Sequence, residues 1–424
     1  MRWFIKSRVS LKWVIWGLCA IFYFYEFVLR VSPSVMIDDL MNSFGITAST
    51  VGLLTSFYLY SYGPLQVPVG MIMDHFGVKK VLSSAAIVCG LGALVFASSK
   101  YLAFAGLGRG LIGAGSSFAF IAMIYVSSNW FDQTKRAFLI GAANSLAMLG
   151  ASAGNGPLAG FIKNFGWRES IFVFGVFGIV LGIIIYFVFK MDKRDETIEK
   201  KTAKLKIHVF ENIKLIISKK STWINGVAAL LFYMTTTIFA GLWGASFVQK
   251  AYSVSKEVAG YAMSIFFAGW LVGGPLMGFF SDLLGERKIA IRIGVIGALL
   301  CLVPVIYFPF IHIYIVYVLL FLVGLFSSAE LLSFSLAIEL NTFKAKATAA
   351  AFTNFIISMG DIIFQPLVGR LLDSNWNGSI VEGIRVYRVE DYQIALSCLP
   401  MTLVLAFILL FFVKEKSSKK VSVK

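Results

Sequence analysis

The stretch that decides the fold is GMIMDHFGVKK at residues 70–80, because it returns as GFFSDLLGERK at residues 278–288. Gly70, Asp74, Gly77 and Lys80 each stand 208 residues before Gly278, Asp282, Gly285 and Lys288, and Lys79 meets Arg287 as a second base. A single GxxxD pattern means little. Five matches at one offset mark an internal duplication.

Each copy follows a long apolar run, and there are more such runs. Candidate spans of about 20 residues lie at 13–36, 50–73, 81–98, 101–127, 137–160, 169–190, 222–248, 258–280, 289–308, 311–338, 347–371 and 393–413. These lengths suit helices, which satisfy their own backbone groups in hydrocarbon, and not the ten-residue alternation of a barrel. The expected fold is an all-α membrane protein of twelve transmembrane helices in two six-helix bundles related by internal pseudo-symmetry. The bundles take residues 1–190 and 222–424, with a cytoplasmic linker at 191–221.

Composition agrees: 58% of the 424 residues are hydrophobic and 14% charged, against about 25% charged in ordinary soluble domains. The net charge of +16 would suggest nucleic acid in a soluble chain, so the position of the bases decides. With the N-terminus on the cytoplasmic side, 28 of the 38 Lys and Arg fall on that side and 8 on the other. Such an asymmetry sets orientation and leaves no nucleic-acid partner to invoke. The basic N-terminus runs into a long apolar segment with no AxA-like site, which reads as a retained first span and not a signal peptide.

Cys19, Cys89, Cys301 and Cys398 sit in apolar stretches without ligand spacing, so neither disulfide nor metal is expected. No Walker A or HExxH element is present, which argues against an enzyme, a cofactor, or transport driven by ATP on this chain.

The duplicated element resembles the cytoplasmic signature of the major facilitator superfamily, whose repeats are a known architecture. Arg109 with Gly113 and Gly115 is similar to that family's membrane-arginine motif, and Gly150, Gly154, Gly156, Pro157 and Gly160 resemble its Gly-Pro motif, with Asn155 as an inserted departure. The stretch YEFVLRVSPSVM at 25–36, with Asn129-Trp130-Phe131 and Gly166-Trp167-Arg168, resembles the branch containing lysosomal dipeptide transporters and phagosomal amino-acid transporters of intracellular bacteria. The resemblance implies a monomeric secondary transporter of a small solute, placed in a bilayer, most simply a bacterial inner membrane with both termini cytoplasmic. A lysosomal-type organelle membrane is the alternative.

Physically, Gly70, Asp74, Gly77, Lys79, Lys80, Gly278, Asp282, Gly285, Arg287 and Lys288 read as latches, a carboxylate pairing with bases and helix ends until the halves rock apart. Gly150, Gly154, Gly156, Pro157 and Gly160 read as helix packing. Ionisable residues inside spans are costly and mark solute paths; those lying well inside are Glu26, Arg30, Arg109, Glu330 and Asp361. Among these five, bases occur only in the first half, whereas the second contributes only acids. That arrangement suits a zwitterion, an amino acid or short peptide, whose carboxylate meets guanidinium and whose amine meets Asp361 or Glu330. Tyr62, Asn144 and Asn354 are further candidate contacts. An i,i+4 pair between Glu26 and Arg30 is the structural alternative. Glu26 is also a candidate proton relay, which leaves proton symport and facilitated diffusion both open. Two other functions compete: an organic-anion transporter or proton-coupled drug or siderophore exporter, and a transport-dead membrane sensor or scaffold.

Overall fold

The computed structural model describes residues 2–66, 68–189, 215–341, 346–381, 383–413 and 415. Most of the expected linker at 191–221 therefore lies outside the described residues.

The chain runs α1 (Arg2–Val31), a 3-10 turn (Ser32–Val35), α2 (Ile37–Phe44), α3 (Ala48–Leu65), α4 (Val69–Phe76), α5 (Val78–Ser98), α6 (Leu102–Ser116), α7 (Ala119–Trp130), α8 (Gln133–Ala153), α9 (Gly156–Phe165) and α10 (Trp167–Val188). It continues with α11 (Lys220–Met234), a π-helical stretch (Thr235–Trp243), α12 (Gly244–Ala251), α13 (Lys256–Leu284), α14 (Arg287–Tyr307), α15 (Ile313–Ser327), a 3-10 turn (Ser328–Leu331), α16 (Leu332–Glu339) and α17 (Lys346–Asn375). A hairpin of two-residue strands, β1 (Ile380–Val381) and β2 (Ile384–Arg385), precedes α18 (Val389–Leu396) and α19 (Cys398–Leu409).

Ten stretches among the described residues are long and apolar enough to cross a membrane. The other two expected spans are helical but interrupted. In span 2, α3 stops at Leu65 and α4 begins after Pro68, a residue with no N–H to give to a preceding turn. Span 5 breaks between Ala153 and Gly156, where Pro157 has no N–H for the carbonyl four residues back. Phe187, Leu300 and Val173 are each at least 65% exposed, as apolar side chains are when lipid and not water surrounds them.

Contacts divide the chain into two compact units. The first holds 1–31, 57–154 and 161–207. Inside it α5 approaches α6 and α10 almost backbone to backbone: a Cβ on Gly92 would meet Ile112 N at 2.7 Å, and one on Gly90 the Gly175 carbonyl at 2.6 Å. The second holds 32–56, 155–160 and 208–424, with a core of Phe232, Phe239, Trp243, Phe247 and Phe266, all fully buried.

Candidate functional site

In the first unit the buried charges gather around the end of α1. Helix α1 closes at Val31, so the carbonyls of its last turn have no partner within the helix. Arg109, on α6 and 2% exposed, supplies them: Nη1 donates to the Leu29 carbonyl at 2.9 Å and Nη2 to that of Arg30 at 3.4 Å. Its guanidinium also lies 5.3 Å from the Tyr58 ring. Two donors of Arg109 thus bond backbone at the end of α1.

Two more arginines repeat this arrangement. Arg168 donates to the Ala97 and Ser99 carbonyls at the end of α5, and Arg292 to Leu410 at the end of α19.

Arg30 has different surroundings. Its guanidinium sits 5.5 Å from the Phe27 ring, 5.7 Å from Tyr58 and 5.3 Å from Tyr62, while Tyr58 and Tyr62 stack at 5.5 Å. Aromatic faces attract a cation through the ring quadrupole. Beside it Glu26, 1% exposed, accepts from Tyr58 Oη at 3.0 Å and lies within electrostatic reach of Arg30. Asn144 is farther along α8, where its Oδ1 accepts from Tyr23 Oη at 3.4 Å. The one-turn spacing of Tyr58 and Tyr62 on α3 is what lets the two rings stack.

The second unit buries the acids. Asp361 is 1% exposed and accepts from the Thr237 hydroxyl, and Glu330 is 2% exposed in the 3-10 turn within electrostatic reach of Asp361. Thr237 comes from the π-helical stretch, a local widening often found at functional sites. Asn354 lies on α17, seven residues before Asp361.

Both copies of the duplicated motif end a helix on a glycine with positive φ, Gly77 at 81° and Gly285 at 71°. No side chain with a Cβ adopts that conformation cheaply, which explains why these positions match. In the second copy Arg287 bonds Asp282 at 2.5 Å and Glu339 at 3.2 Å, while the N–H groups of Arg287 and Lys288 reach the Glu415 carboxylate. In the first copy Lys79 lies 4.5 Å over the Tyr186 ring and Lys80 is exposed; the Asp74 side chain is outside the described residues. Neither Gly70 nor Gly278 has a neighbour within 4 Å of a Cβ position.

Of the Gly-Pro element, a Cβ on Gly150 would strike the Phe24 carbonyl at 2.3 Å, on Gly154 that of Val28 at 2.7 Å, and on Gly156 the Tyr261 ring at 2.5 Å. Gly160 differs from the packing expectation, since nothing lies within 4 Å of it. Asn155, the inserted residue, is fully buried, and its Oδ1 accepts from Ser34 Oγ at 2.6 Å; the Gly156 N–H is satisfied by Ser264 Oγ at 2.9 Å.

The first turn of α3 is capped by residues distant in sequence. Ala48 N donates to Tyr387 Oη at 3.2 Å and Ser49 N to Asp373 Oδ2 at 2.9 Å, and Tyr387 donates to Asp373 Oδ1 at 2.5 Å. Burial, and then the adjacent Asp373 carboxylate, pushes the Tyr387 phenol above its ordinary pKa, so it remains a donor. Asp39 and Lys256 pair nearby. No pattern in the sequence pointed to this clasp.

A family model described as the Major Facilitator Superfamily matches residues 16–247 and again 226–424. The chain belongs to the Major Facilitator Superfamily. It is similar to a probable sulfoacetate transporter of Cupriavidus necator, 27% identical over 186 residues that make up 44% of this chain and 43% of that protein. The chain therefore spans less than half the length of that relative. A hexuronate transporter of Bacillus subtilis is 24% identical over 384 residues, covering 89% of this chain and 83% of its own. Among solved structures, a bacterial homolog of the human lysosomal transporter Spinster has a TM-score of 0.75 at 16% identity, with 95% of each chain covered. That likeness extends the superfamily assignment to the fold: twelve helices in two six-helix bundles.

Proposed function

We propose that this transporter moves a small organic anion bearing a carboxylate or sulfonate, by alternating access, and that Arg30 receives the anionic group. The carrying observation is the setting of Arg30, whose guanidinium rests on the rings of Phe27, Tyr58 and Tyr62 beside the buried Glu26. Guanidinium is the side chain best shaped for carboxylate and sulfonate oxygens. Relatives named for sulfoacetate, hexuronate and galactarate or D-glucarate support the anionic class. On this reading the bundles at 1–190 and 222–424 are the moving parts, and Asp282, Arg287 and Lys288 with their counterparts latch the basic face. The 28-to-8 asymmetry of bases and the bacterial relatives support an inner membrane with cytoplasmic termini.

A second reading, a zwitterionic amino acid or short peptide, is favoured by two buried carboxylates, Glu330 and Asp361, as acceptors for an amine, and by the resemblance of residues 25–36 to the dipeptide-transporter branch. Counterflow in liposomes separates the two. Labelled D-glucarate or sulfoacetate exchange that is lost in Arg30→Ala supports the anion. Exchange of a dipeptide with no response to either acid supports the zwitterion.

A further inference from the structure

The basic face of the second unit holds a cavity of about 1020 Å³ between the start of α11 and the ends of α16 and α19. It is at the upper end of the roughly 300–1,000 Å³ usual for small-ligand sites. Its charged lining is Lys219, Lys220, Glu339 and Glu415. The two acids are already committed, Glu339 to Arg287 and Glu415 to the N–H groups that begin α14. Among the described residues the lysines are not balanced in this way: Lys219 Nζ donates to the Leu340 carbonyl at 3.3 Å and has no acidic partner. Both lysines sit at the first turn of α11, which has no acidic residue and no side-chain cap. Basic residues there oppose the helix dipole, and an anion would relieve them.

A second observation points into the same cavity. Asn341 lines it, is 9% exposed, donates to Thr222 Oγ1 and to the Ala337 carbonyl, and has an Oδ1 without a hydrogen-bond partner. Ile224, Leu409 and Phe412 provide an apolar side, and Phe412 is 63% exposed. The membrane-crossing stretches begin at Lys220 and end at Leu409, so the cavity lies at headgroup level.

We propose that this cavity is a site for an anionic glycerophospholipid with a hydroxylated headgroup. Its phosphate is held by Lys219, Lys220 and the first N–H groups of α11, a headgroup hydroxyl donates to Asn341 Oδ1, and acyl carbon lies along Leu409 and Phe412. The site is separate from the Arg30 cluster and does not depend on which solute is carried.

Native mass spectrometry of the purified full chain in detergent, titrated with phosphatidylglycerol, phosphatidic acid and phosphatidylcholine of equal chain length, tests it. One phosphatidylglycerol should be retained in preference to phosphatidylcholine. The Lys219→Gln/Lys220→Gln pair should weaken it about tenfold or more, since each base near the surface contributes comparably to anionic-lipid binding. Lys220→Gln alone, which removes no hydrogen bond among the described residues, should give part of that loss in a fully folded protein. Asn341→Leu should erase the preference for phosphatidylglycerol over phosphatidic acid. Equal retention of phosphatidylglycerol and phosphatidylcholine, unchanged binding in the lysine variants, or full competition by inorganic phosphate would each overturn the proposal.

Discussion

Ser49 N donates to Asp373 Oδ2 at 2.9 Å, so a helix near the start of the chain is capped by a carboxylate 324 residues later. With Tyr387 on Ala48 N, two of the four orphan N–H groups of α3 are satisfied. Asp373→Ala removes the charged cap and a partner of both Tyr387 and Arg385. A cap is worth about 1 kcal/mol, so the melting temperature of the purified protein should fall, and Asp373→Asn should recover part of the loss. An unchanged melting temperature in the alanine variant would remove the clasp from consideration.

Arg109 should behave as a structural residue. Its replacement by alanine removes the hydrogen bonds to the Leu29 and Arg30 carbonyls, at about 1–3 kcal/mol for a bond from a charged donor. Reduced yield of monodisperse protein and a lower melting temperature are expected, with Arg109→Lys intermediate because an ammonium lacks the forked geometry. A stable Arg109→Ala protein defective only in solute affinity would reverse the assignment.

Arg30 should behave in the opposite way. Arg30→Ala gives up cation–π contact with three buried rings, a loss of about 2 kcal/mol, and is expected to lower anion uptake at least tenfold. Uptake kinetics alongside thermal melts measure both quantities on one preparation. Tyr62→Phe keeps the ring face under the guanidinium and should retain most transport.

Glycine positions divide sharply by their surroundings. A Cβ on Gly113 would come within 2.0 Å of the Tyr58 carbonyl, whereas Gly160 has open space. Gly113→Ala should therefore destabilise by about 1–3 kcal/mol and disturb Tyr58 under Arg30, while Gly160→Ala should leave melting and transport near wild type. Comparable melting temperatures for the two variants would contradict the packing described for α3 and α6.

Much of the fold was legible in linear form because its causes are linear. Apolar runs of membrane length, bases between them and a motif repeated at one offset need no knowledge of contacts. Breaks in spans 2 and 5 were foreshadowed by Pro68 and Pro157, since a missing N–H acts within four residues. The site was legible only in part. Glu26, Arg30, Arg109, Glu330 and Asp361 stood out because a charge inside a span is expensive wherever it points, but nothing in the sequence distinguishes a guanidinium facing backbone carbonyls from one lying on tyrosine rings.

By itself, then, the sequence determined the helical membrane class, the duplication and the small set of interior charges, all properties of local hydrophobicity and spacing. Tertiary structure alone decided what each charge does. Arg109 became a helix cap because α1 ends beside α6, Asn155 gained Ser34 because the break in span 5 presents it there, and Asp373 reached Ser49 across 324 residues. Hydrogen bonds form within about 3 Å whatever the separation along the chain, so such roles follow from packing.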